Sequence, residues 1–350
     1  MLSKVRIVGS GLIGTSIALG LVQRGVAVEM VDSDLSSQSL AMDLVGGGEV
    51  VDPEIVIFAL PTSRLPLVIE KELSLNPQST FMDVGGVKNE VVLKVETIPG
   101  LSTRFLPTHP MAGREIGGAG SARADLFQGR SWILTPSADL EDRSKNLILE
   151  LISILGATPI ELSAADHDRA VAKISHLPQI AASLVAKQLA GTPAEWMELA
   201  GQGLRDTTRI AGSDESLWKE IIHSNRAELR ELLINLQNDL QAMIQALEDP
   251  STIAELIAAG RAGKALIPGK HGGVAREYSY LPIVIDDKPG QLGAIFNECA
   301  AMDVNVEDLI IEHSPGQLSA LITLALSQFD AEKLSAHLIS IGWNVHPIRK

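Results

Sequence analysis

Short apolar runs alternate with stretches of helical periodicity from Val5 to about Ser163. The stretch from Leu12 to Arg24 has helical spacing and ends before Gly25, a good C-terminal stop for a helix. Buried strands that alternate with helices are typical of a mostly parallel, doubly wound α/β sheet. Six runs predict its strands: VRIVG, VAVEMVD, EIVIFALP, STFMDVGG, TRFLPTHP and SWILTP.

From Ser163 to about Gly260 the pattern predicts almost only helix. Ser163 and Asp166 have the spacing of a capping box, with Asp in place of the usual Glu. A second long helix is predicted from about Ser216 to Leu247. Apolar helices without a sheet to cover often pack against a second copy, so we predict a helical dimerisation domain and a homodimer. The apolar stripe of the first helix is Val171, Ile174, Leu177, Ala181 and Leu184.

The stretch GRAGKALIPGKHGG, from Gly260 to Gly273, breaks the helical pattern and is typical of a linker. After it, the apolar and helical stretches follow the order βαββαβ, with helices from Gly290 to Met302 and from Asp330 to Ile341. This is the order of the ferredoxin-like split βαβ unit. The sequence therefore predicts domains at residues 1–162, 163–262 and 278–350, with a linker at 263–277.

Composition narrows the classes of partner. The 350 residues are 45% hydrophobic and 21% charged, which is typical of a folded chain of two or three domains. The net charge of −14 disfavours nucleic acid and anionic membranes, because both require a basic face. With Cys299 as the single cysteine, no signal peptide and no membrane-length apolar run, a cytoplasmic location is expected. No motif predicts a bound metal.

A glycine-rich segment between the first strand and the first helix predicts a dinucleotide site. The first glycine of GxGxxG makes the turn, the second admits the pyrophosphate, and the third lets helix and strand pack closely. Asp32 ends the second strand, where a carboxylate would bind the ribose 2′-OH and repel a 2′-phosphate. We therefore predict NAD rather than NADP, bound to a Rossmann-type domain. The motif residues are Gly9, Ser10, Gly11, Leu12, Ile13 and Gly14.

The carboxyl ends of the later strands are the expected edge of the pocket. One of them carries Leu60, Pro61 and Thr62, which we assign to the cofactor site. Another carries His109, between an apolar run and Pro110, which bars a helix and favours an extended backbone. Alone, His109 could belong to an ordinary surface turn, but its place at this edge favours a role in the nicotinamide pocket.

Two stretches of the helical segment are candidates for the rest of the pocket. In KISHLPQ, Pro178 interrupts a helix beside His176, which is either a core histidine or a pocket residue. In GLRDTTRIAGSDESLW, Asp206 and Arg209 are three residues apart and would share a helix face. They form either a solvated ion pair or a site where the arginine binds a carboxylate through two parallel N–H bonds.

Five ordered motifs resemble the prephenate dehydrogenase family of tyrosine biosynthesis over essentially the whole chain: VGSGLIGTSIA, DVGGVK, THPMAGRE, DHDRAVAKISHLP and GLRDTTRIAGSDESLW, followed by SNR. The resemblance implies that prephenate loses a hydride from C4 to NAD+, a proton from the C4 hydroxyl, and CO2, giving 4-hydroxyphenylpyruvate. It further implies that His109 takes that proton and that Arg209 binds a substrate carboxylate. Glu115 and Asp206 match acidic residues that shape the pocket, and His176 and Trp218 match residues that line it.

Two departures from the family pattern bear on substrate and activity. Gly86 stands where the family often has a serine whose hydroxyl helps to hold His109 and the substrate hydroxyl. Gln179 stands where a second histidine is common, and its neutral amide gives no negative charge to hold the ammonium of arogenate. Prephenate is therefore favoured as substrate. Arogenate dehydrogenase remains an alternative, as does a catalytically silent sensor of NAD and an amino acid.

The C-terminal motifs DDKPGQLGAIF and DVNVEDLIIEHS resemble an ACT domain, a small regulatory module that often binds amino acids. The strand-to-helix loop exposes N–H groups that suit a carboxylate, so an aromatic amino-acid effector is expected there. A purely structural or oligomerising module is the alternative. The candidate effector residues are Asp287, Pro289, Gly290, Gln291, Leu292 and Asn305.

Overall fold

The computed structural model describes residues 1–114, 116–267, 278–313 and 318–349. The chain folds into two compact units, Met1–Asn238 and Asp239–Lys350. The predicted division into three domains and a linker is a finer one, and its boundaries stay a prediction. In the described ranges, no helix is long and apolar enough to cross a membrane.

A seven-stranded sheet with the order β2-β1-β3-β4-β5-β6-β7 forms the centre of the first unit. Neighbouring strands are parallel except β5 and β6, which pair antiparallel, so the predicted mostly parallel sheet is confirmed. The sequence does not predict the edge strand β7, because TPIE is short and exposed and contains Pro159. The strands are β1 Lys4–Val8, β2 Ala27–Val31, β3 Ile55–Phe58, β4 Thr80–Asp83, β5 Phe105–Pro110, β6 Ser131–Leu134 and β7 Thr158–Glu161.

Helices cover both faces of this sheet, as a doubly wound fold requires. One core cluster joins the sheet to α1, α2 and α5, and a second joins it to α3 and α4. The carboxyl ends of β1, β3, β4 and β5 therefore open toward one edge, where the ligand-binding crevice of such sheets lies. The helices are α1 Leu12–Val22, α2 Leu35–Val45, α3 Leu65–Leu75, α4 Asn89–Glu96 and α5 Asp142–Ile154.

The rest of the first unit is helical, as predicted, and the Ser163 cap is present: its hydroxyl accepts the Asp166 N–H at 3.0 Å. The predicted helix at 216–247 is wrong as a single element, because it breaks at Asn225, whose side chain binds neighbouring elements. The helices are α6 Ala164–Val171, α7 Leu177–Lys187, α8 Ala194–Met197, α9 Gln202–Thr208, α10 Glu215–Ser224 and α11 Arg226–Gln245, which crosses into the second unit.

A π-helical segment, Ala172–His176, joins α6 to α7 without a break. Pro178 lacks an N–H and cannot complete the α-helical ladder, and the wider turn absorbs this defect. The segment shifts the register of the helix, so the predicted apolar stripe is not continuous. Val171 is buried, whereas Ile174 and Leu184 are 66% and 48% exposed in the single chain.

The second unit begins in α11 and continues with α12 Pro250–Ala265. The predicted break of the helical pattern at Gly260 is wrong, because alanines, lysine and arginine continue α12 to Ala265 despite two glycines. The linker at 263–277 stays a prediction, and residues 268–277 lie outside the described part. A four-stranded antiparallel sheet of order β11-β8-β10-β9 follows, with the predicted element order βαββαβ. Its elements are β8 Ser279–Asp286, α13 Gln291–Ala301, β9 Asp308–His313, β10 Ser319–Leu326, α14 Gln328–Ser340 and β11 Asn344–Val345.

Candidate active site

The glycine-rich turn after β1 has the geometry of a dinucleotide cradle. Gly9 has φ +111°, and a Cβ there would lie 2.1 Å from the carbonyl oxygen of Ala59. A Cβ on Gly14 would lie 2.2 Å from the Gly9 carbonyl, so helix and strand could not pack. Gly11 faces open space, with no atom within 4 Å of a Cβ built on it. The turn therefore leaves room at the start of α1, around Ser10, Leu12 and Ile13, for a pyrophosphate.

Asp32 follows β2 and contacts the same turn. Its Oδ2 accepts hydrogen bonds from the Ser10 N–H at 2.7 Å and the Ser10 hydroxyl at 2.8 Å. Burial raises the pKa of Asp32, but hydrogen bonds from Asp34, Ser10 and Ser33 outweigh it, and the net pKa lies below its usual value. An ionised carboxylate beside the glycine turn suits the ribose hydroxyls of NAD and repels a 2′-phosphate.

The segment after β3 and the helix α10 border the same edge. Leu60 and Pro61 lead into a short 3-10 turn that begins at Thr62. The Ser63 hydroxyl donates to Glu220 of α10 at 2.9 Å. The helical part of the first unit thus contacts the predicted cofactor site.

His109 is the penultimate residue of β5 and is half-buried. Its Nδ1 lies 2.9 Å from Nε2 of His167 on α6. The Nδ1 of His167 in turn lies 2.8 Å from Oδ1 of Asp168. A carboxylate, a histidine and a second histidine therefore form one chain that ends at the candidate catalytic ring.

The carboxylate of Asp168 lies at the N-terminus of α4. Its two oxygens accept the main-chain N–H groups of Lys88 at 2.7 Å and Asn89 at 2.9 Å. Burial raises the pKa of Asp168, but the bonds from His167, Asn89 and Lys88 more than offset this, so its pKa lies below the usual value. Asp168 therefore stays ionised and acts only as an acceptor.

This chain fixes the tautomers of both histidines. Because Asp168 can only accept, His167 carries its proton on Nδ1 and presents an unprotonated Nε2. His109 must then donate from Nδ1, which leaves its own Nε2 with a free lone pair. Burial, with smaller contributions from His167, Lys88 and His176, lowers the pKa of His109 well below its usual value. At neutral pH the ring is an uncharged base with its accepting nitrogen away from His167.

Gly86 lies beside that accepting nitrogen. A Cβ built on Gly86 would be 3.9 Å from Nε2 and Cε1 of His109 and 3.9 Å from Cδ1 of Ile221. These are ordinary contact distances, so a side chain fits here without displacing a neighbour. Gly86 thus borders the space where the reacting group of a substrate would meet His109.

His176 ends the π segment and is buried, with its ring at 83° to that of Trp218 and 5.9 Å away. The side-chain amide of Asn225 donates to the main-chain oxygen of Asp168 at 2.8 Å and lies 3.1 Å from Nδ1 of His176. Burial lowers the pKa of His176 to about 4; Asp168 opposes this shift and His167 adds to it. His176 is therefore neutral at pH 7, with Nδ1 accepting and Nε2 carrying the proton.

The remaining predicted pocket residues lie on α7, on α9 and after it. The amide nitrogen of Gln179 donates to the Ile210 carbonyl at 2.9 Å, which ties α7 to the 3-10 segment Arg209–Gly212. Asp206 accepts from Gln202 at 2.7 Å, and Arg209 is exposed. Glu115 lies outside the described residues.

Three residues that complete the site have no role predicted from the sequence: His167, Asp168 and Asn225. The sequence holds one signal, since His167 lies four residues before the apolar Val171 and so shares its helix face; both are buried in the structure. A histidine on the buried face of a short helix requires a polar partner. Which partner it meets could not be predicted, because His109 is 58 residues away in sequence.

A glycine turn that opens α1, an acidic residue after β2 and a neutral histidine at the crevice edge define a Rossmann-type nicotinamide-dinucleotide dehydrogenase. The helical residues that follow the sheet show which family of these dehydrogenases the chain belongs to.

Two family models match in succession. The nucleotide-binding domain of prephenate dehydrogenase matches residues 12–161, and its dimerization domain matches residues 163–258. The chain belongs to the prephenate dehydrogenase family and is an NAD-dependent oxidoreductase.

Individual relatives agree with this family. A probable prephenate dehydrogenase of Streptomyces niveus is 29% identical over 96% of this chain and 98% of its own. The prephenate dehydrogenase of Lactococcus lactis is 28% identical over 91% and 93%. Among solved structures, Aquifex aeolicus prephenate dehydrogenase with hydroxyphenyl propionate and NAD+ has TM-score 0.67 and 25% identity, covering 76% of this chain and 99% of that one. Synechocystis arogenate dehydrogenase has TM-score 0.61 and 26% identity, covering 75% and 100%.

Proposed function

We propose that the protein oxidises prephenate to 4-hydroxyphenylpyruvate with release of CO2, the step that leads to tyrosine. The observation that carries this proposal is the chain Asp168–His167–His109, which ends in an unprotonated nitrogen beside the cofactor edge. Bound NAD+ would supply the hydride acceptor. Ser10, Gly11 and Asp32 would hold it through the start of α1 and the ribose hydroxyls.

His109 acts as the general base. Its Nε2 accepts the proton of the C4 hydroxyl as the hydride leaves C4. The bond to the ring carboxylate then breaks with release of CO2, its electron pair completes the aromatic ring, and the phenolate oxygen takes a proton back to give the hydroxyl of the product. His167 accepts the hydrogen bond from Nδ1 of His109, so positive charge that develops on His109 is shared with a ring oriented by Asp168. A positioned base of this kind typically contributes about 10²- to 10⁴-fold to the rate.

The helical elements bind the rest of the substrate. Arg209, on the segment that Gln179 ties to α7, binds a carboxylate through its planar fork of donors. The Nε2–H of His176 is a neutral donor for an oxygen of the side chain, with Trp218 packed on its ring. We retain Glu115 and Asp206 as acidic residues that shape the pocket.

The test of this function is the initial rate of NADH formation with prephenate and with arogenate, each with NAD+ and with NADP+. We expect turnover of prephenate with NAD+ to exceed the other three combinations. The side chain of Gln179 is uncharged, so it offers no negative charge to hold the ammonium of arogenate. Faster turnover of arogenate would keep the mechanism and overturn the argument from Gln179, and a preference for NADP+ would overturn the argument from Asp32.

A catalytically silent sensor is the second candidate, and Gly86 is the observation that favours it. We expect Gly86→Ser to raise kcat/KM for prephenate about 2- to 10-fold, the value of one added hydrogen bond. The new Cβ fits at 3.9 Å from His109, so the melting temperature should not fall. Gly86→Ala is the matched control, since it adds the same Cβ without a hydroxyl, and it should give no gain. A wild type without turnover that Gly86→Ser activates would support the sensor.

The larger organisation completes the proposal. We propose a cytoplasmic homodimer that pairs through the helical domain, supported by the match of residues 163–258 to a dimerization domain. Exposed apolar side chains on α11, including Leu236, Leu240 and Ile244, suit such an interface. The domain boundaries 1–162, 163–262 and 278–350 belong to the same proposal.

We further propose that residues 278–350 form an ACT domain that binds an aromatic amino acid. Its βαββαβ order supports this, as does the loop from β8 to α13, where Gly290 has φ +92°. The Asp287 N–H donates to the Leu318 carbonyl, so the effector carboxylate would bind nearer Pro289, Gly290, Gln291 and Leu292. Asn305, whose amide binds Glu307, lies in the loop that precedes β9.

The effector prediction can be checked with inhibition curves. We expect tyrosine or phenylalanine to inhibit the full chain, and a chain truncated after Gly273 to lose that inhibition while it retains turnover. Unchanged inhibition in the active, truncated chain would place the effector site before residue 274. The absence of inhibition in both forms would support a structural module.

A further inference from the structure

The hydrogen-bonded ladder between β4 and β5 stops just before His109. Its last pair is Asp83 with Pro107, because β4 itself ends at Asp83. Beyond this pair, β4 has no residue that pairs with Thr108 or His109 at the end of β5.

At Thr108, two side chains make the hydrogen bonds that a neighbouring strand would otherwise make. The carboxylate of Asp83 accepts the Thr108 N–H at 3.1 Å, and the ammonium of Lys88 donates to the Thr108 carbonyl at 2.7 Å. Lys88 also donates to Asp83 Oδ2, which closes a ring of contacts around one peptide unit. The Thr108 hydroxyl donates to the main-chain oxygen of Asp83 at 2.6 Å and accepts from Trp132 at 2.9 Å. Both peptide groups that flank Thr108 are thereby fixed.

This arrangement is fully buried. Lys88 has no exposed surface, and Asp83 and Thr108 are 3% and 0% exposed. A buried charge pair is costly to desolvate and is rarely retained for stability alone. Lys88 also contacts the other end of the catalytic chain, because its main-chain N–H donates to Asp168. One residue thus joins the strand that carries His109 to the carboxylate that orients His167.

The charge of Lys88 acts on His109 as well. Among the residues that the structure describes, the titratable groups around the His109 ring are His167 on α6, His176 on the π segment, and Lys88 before α4. Asp168 lies behind His167, and Asp83 lies behind Lys88. An ammonium here disfavours a second positive charge on the ring, and Asp83 moderates that effect. Burial lowers the pKa of Lys88, and Asp83 and Asp168 oppose the shift.

We propose that Lys88 and Asp83 are a positioning pair for His109: they supply the bonds to Thr108 that the main chain of β4 cannot make beyond Asp83, and they link the end of β5 to Asp168. The pair touches neither substrate nor cofactor and acts through Thr108 and the main chain of His109. This inference rests on the proposed role of His109 as the base.

The test compares Lys88→Met, Asp83→Asn and the double variant in the full-length protein, with Lys94→Met as control. Lys94 lies on α4 and pairs with Glu70 at the surface, away from His109. We expect Lys88→Met to lower kcat about 10²-fold, since misplacement of a catalytic group by about 1 Å costs this much, while KM for NAD+ stays within threefold. Lys94→Met should match the wild type.

The pH dependence separates positioning from a general loss of stability. The acid limb of kcat/KM reports the free base. Removal of the Lys88 charge makes His109 easier to protonate, so the acid limb should move to higher pH. Removal of the Asp83 charge should move it to lower pH. The same opposite shifts are expected in the ¹H NMR titration of the His109 ring, assigned with His109→Asn, and that readout does not depend on turnover.

The proposal would be overturned if the acid limb of kcat/KM moved in the same direction in both single variants. It would also be overturned if Lys88→Met kept the wild-type kcat. Should a single variant not fold, the double variant is decisive, because it leaves no unpaired buried charge. We expect the double variant to have a reduced kcat, since the Thr108 carbonyl has lost its donor. A wild-type kcat in the double variant would also overturn the proposal. The expected opposite shifts of the His109 titration, in a protein that does not turn over prephenate, would contradict the proposed function. They would still support Lys88 and Asp83 as a positioning pair.

Discussion

Replacement of His109 by Asn is expected to lower kcat for prephenate oxidation by about 10²- to 10⁴-fold, the contribution of a positioned general base. The amide nitrogen of Asn can take the place of Nδ1 and still donate to His167, so the end of β5 should keep its structure. It offers no basic nitrogen at the position of Nε2, so the proton of the C4 hydroxyl has no acceptor. Initial rates of NADH formation, with calorimetric titration of NAD+, measure both effects.

The matched control for this variant is His346→Asn, the same exchange at an exposed position of the C-terminal unit. It should retain wild-type kcat, and NAD+ affinity should be unchanged in both variants. A His109→Asn protein that binds NAD+ and turns over at the wild-type rate would remove His109 from the mechanism and, with it, the reason for the Asp168–His167 chain.

Replacement of Arg209 by Lys is expected to reduce kcat/KM for prephenate by about 30- to 10³-fold, the equivalent of about 2–4 kcal/mol, with most of the loss in KM. Lysine retains the positive charge but cannot bind a carboxylate through two parallel N–H bonds. The KM for NAD+ should stay constant, because the cofactor binds at the glycine turn. Steady-state kinetics with each substrate varied in turn give both constants.

Arg230→Lys supplies the control for Arg209, since Arg230 is exposed on α11 and the exchange is identical. We expect it to match the wild type in all constants. An Arg209→Lys protein with an unchanged KM for prephenate would assign the substrate carboxylate to another cation and would leave Arg209 a structural residue.

Local sequence predicts the parts of this molecule that depend on local rules. The glycine turn at Gly9–Gly14 follows from backbone geometry, and the strand positions follow from apolar runs, so the NAD-binding fold is confirmed. The acidic residue after β2 and the position of His109 at the end of β5 follow from the same pattern.

The polar contacts of the site and the helix break at Asn225 could not be predicted, because they depend on contacts between segments that are distant in sequence. His167 and Asp168 complete the chain to His109, and nothing near them in sequence indicates that partner. The break at Asn225 is likewise not predicted by periodicity, because it depends on the contact between the side chain of Asn225 and the main-chain oxygen of Asp168, which is 57 residues away in sequence. Gly86 was identified by comparison with a motif, and its distance of 3.9 Å from His109 gives that comparison a geometric basis.

The π segment between α6 and α7 has a consequence for how this region can change over time. His167 and His176 are nine residues apart, and at about 100° per residue a regular α-helix would place them on opposite sides. The wider turn absorbs about one residue, so both rings point into the protein and serve one pocket. A one-residue insertion between them would separate the two rings, whereas a one-residue deletion that removed the wider turn would leave them about 80° apart on a regular α-helix. We therefore expect insertions to be selected against here, and a deletion to be tolerated only where the π segment becomes regular α-helix.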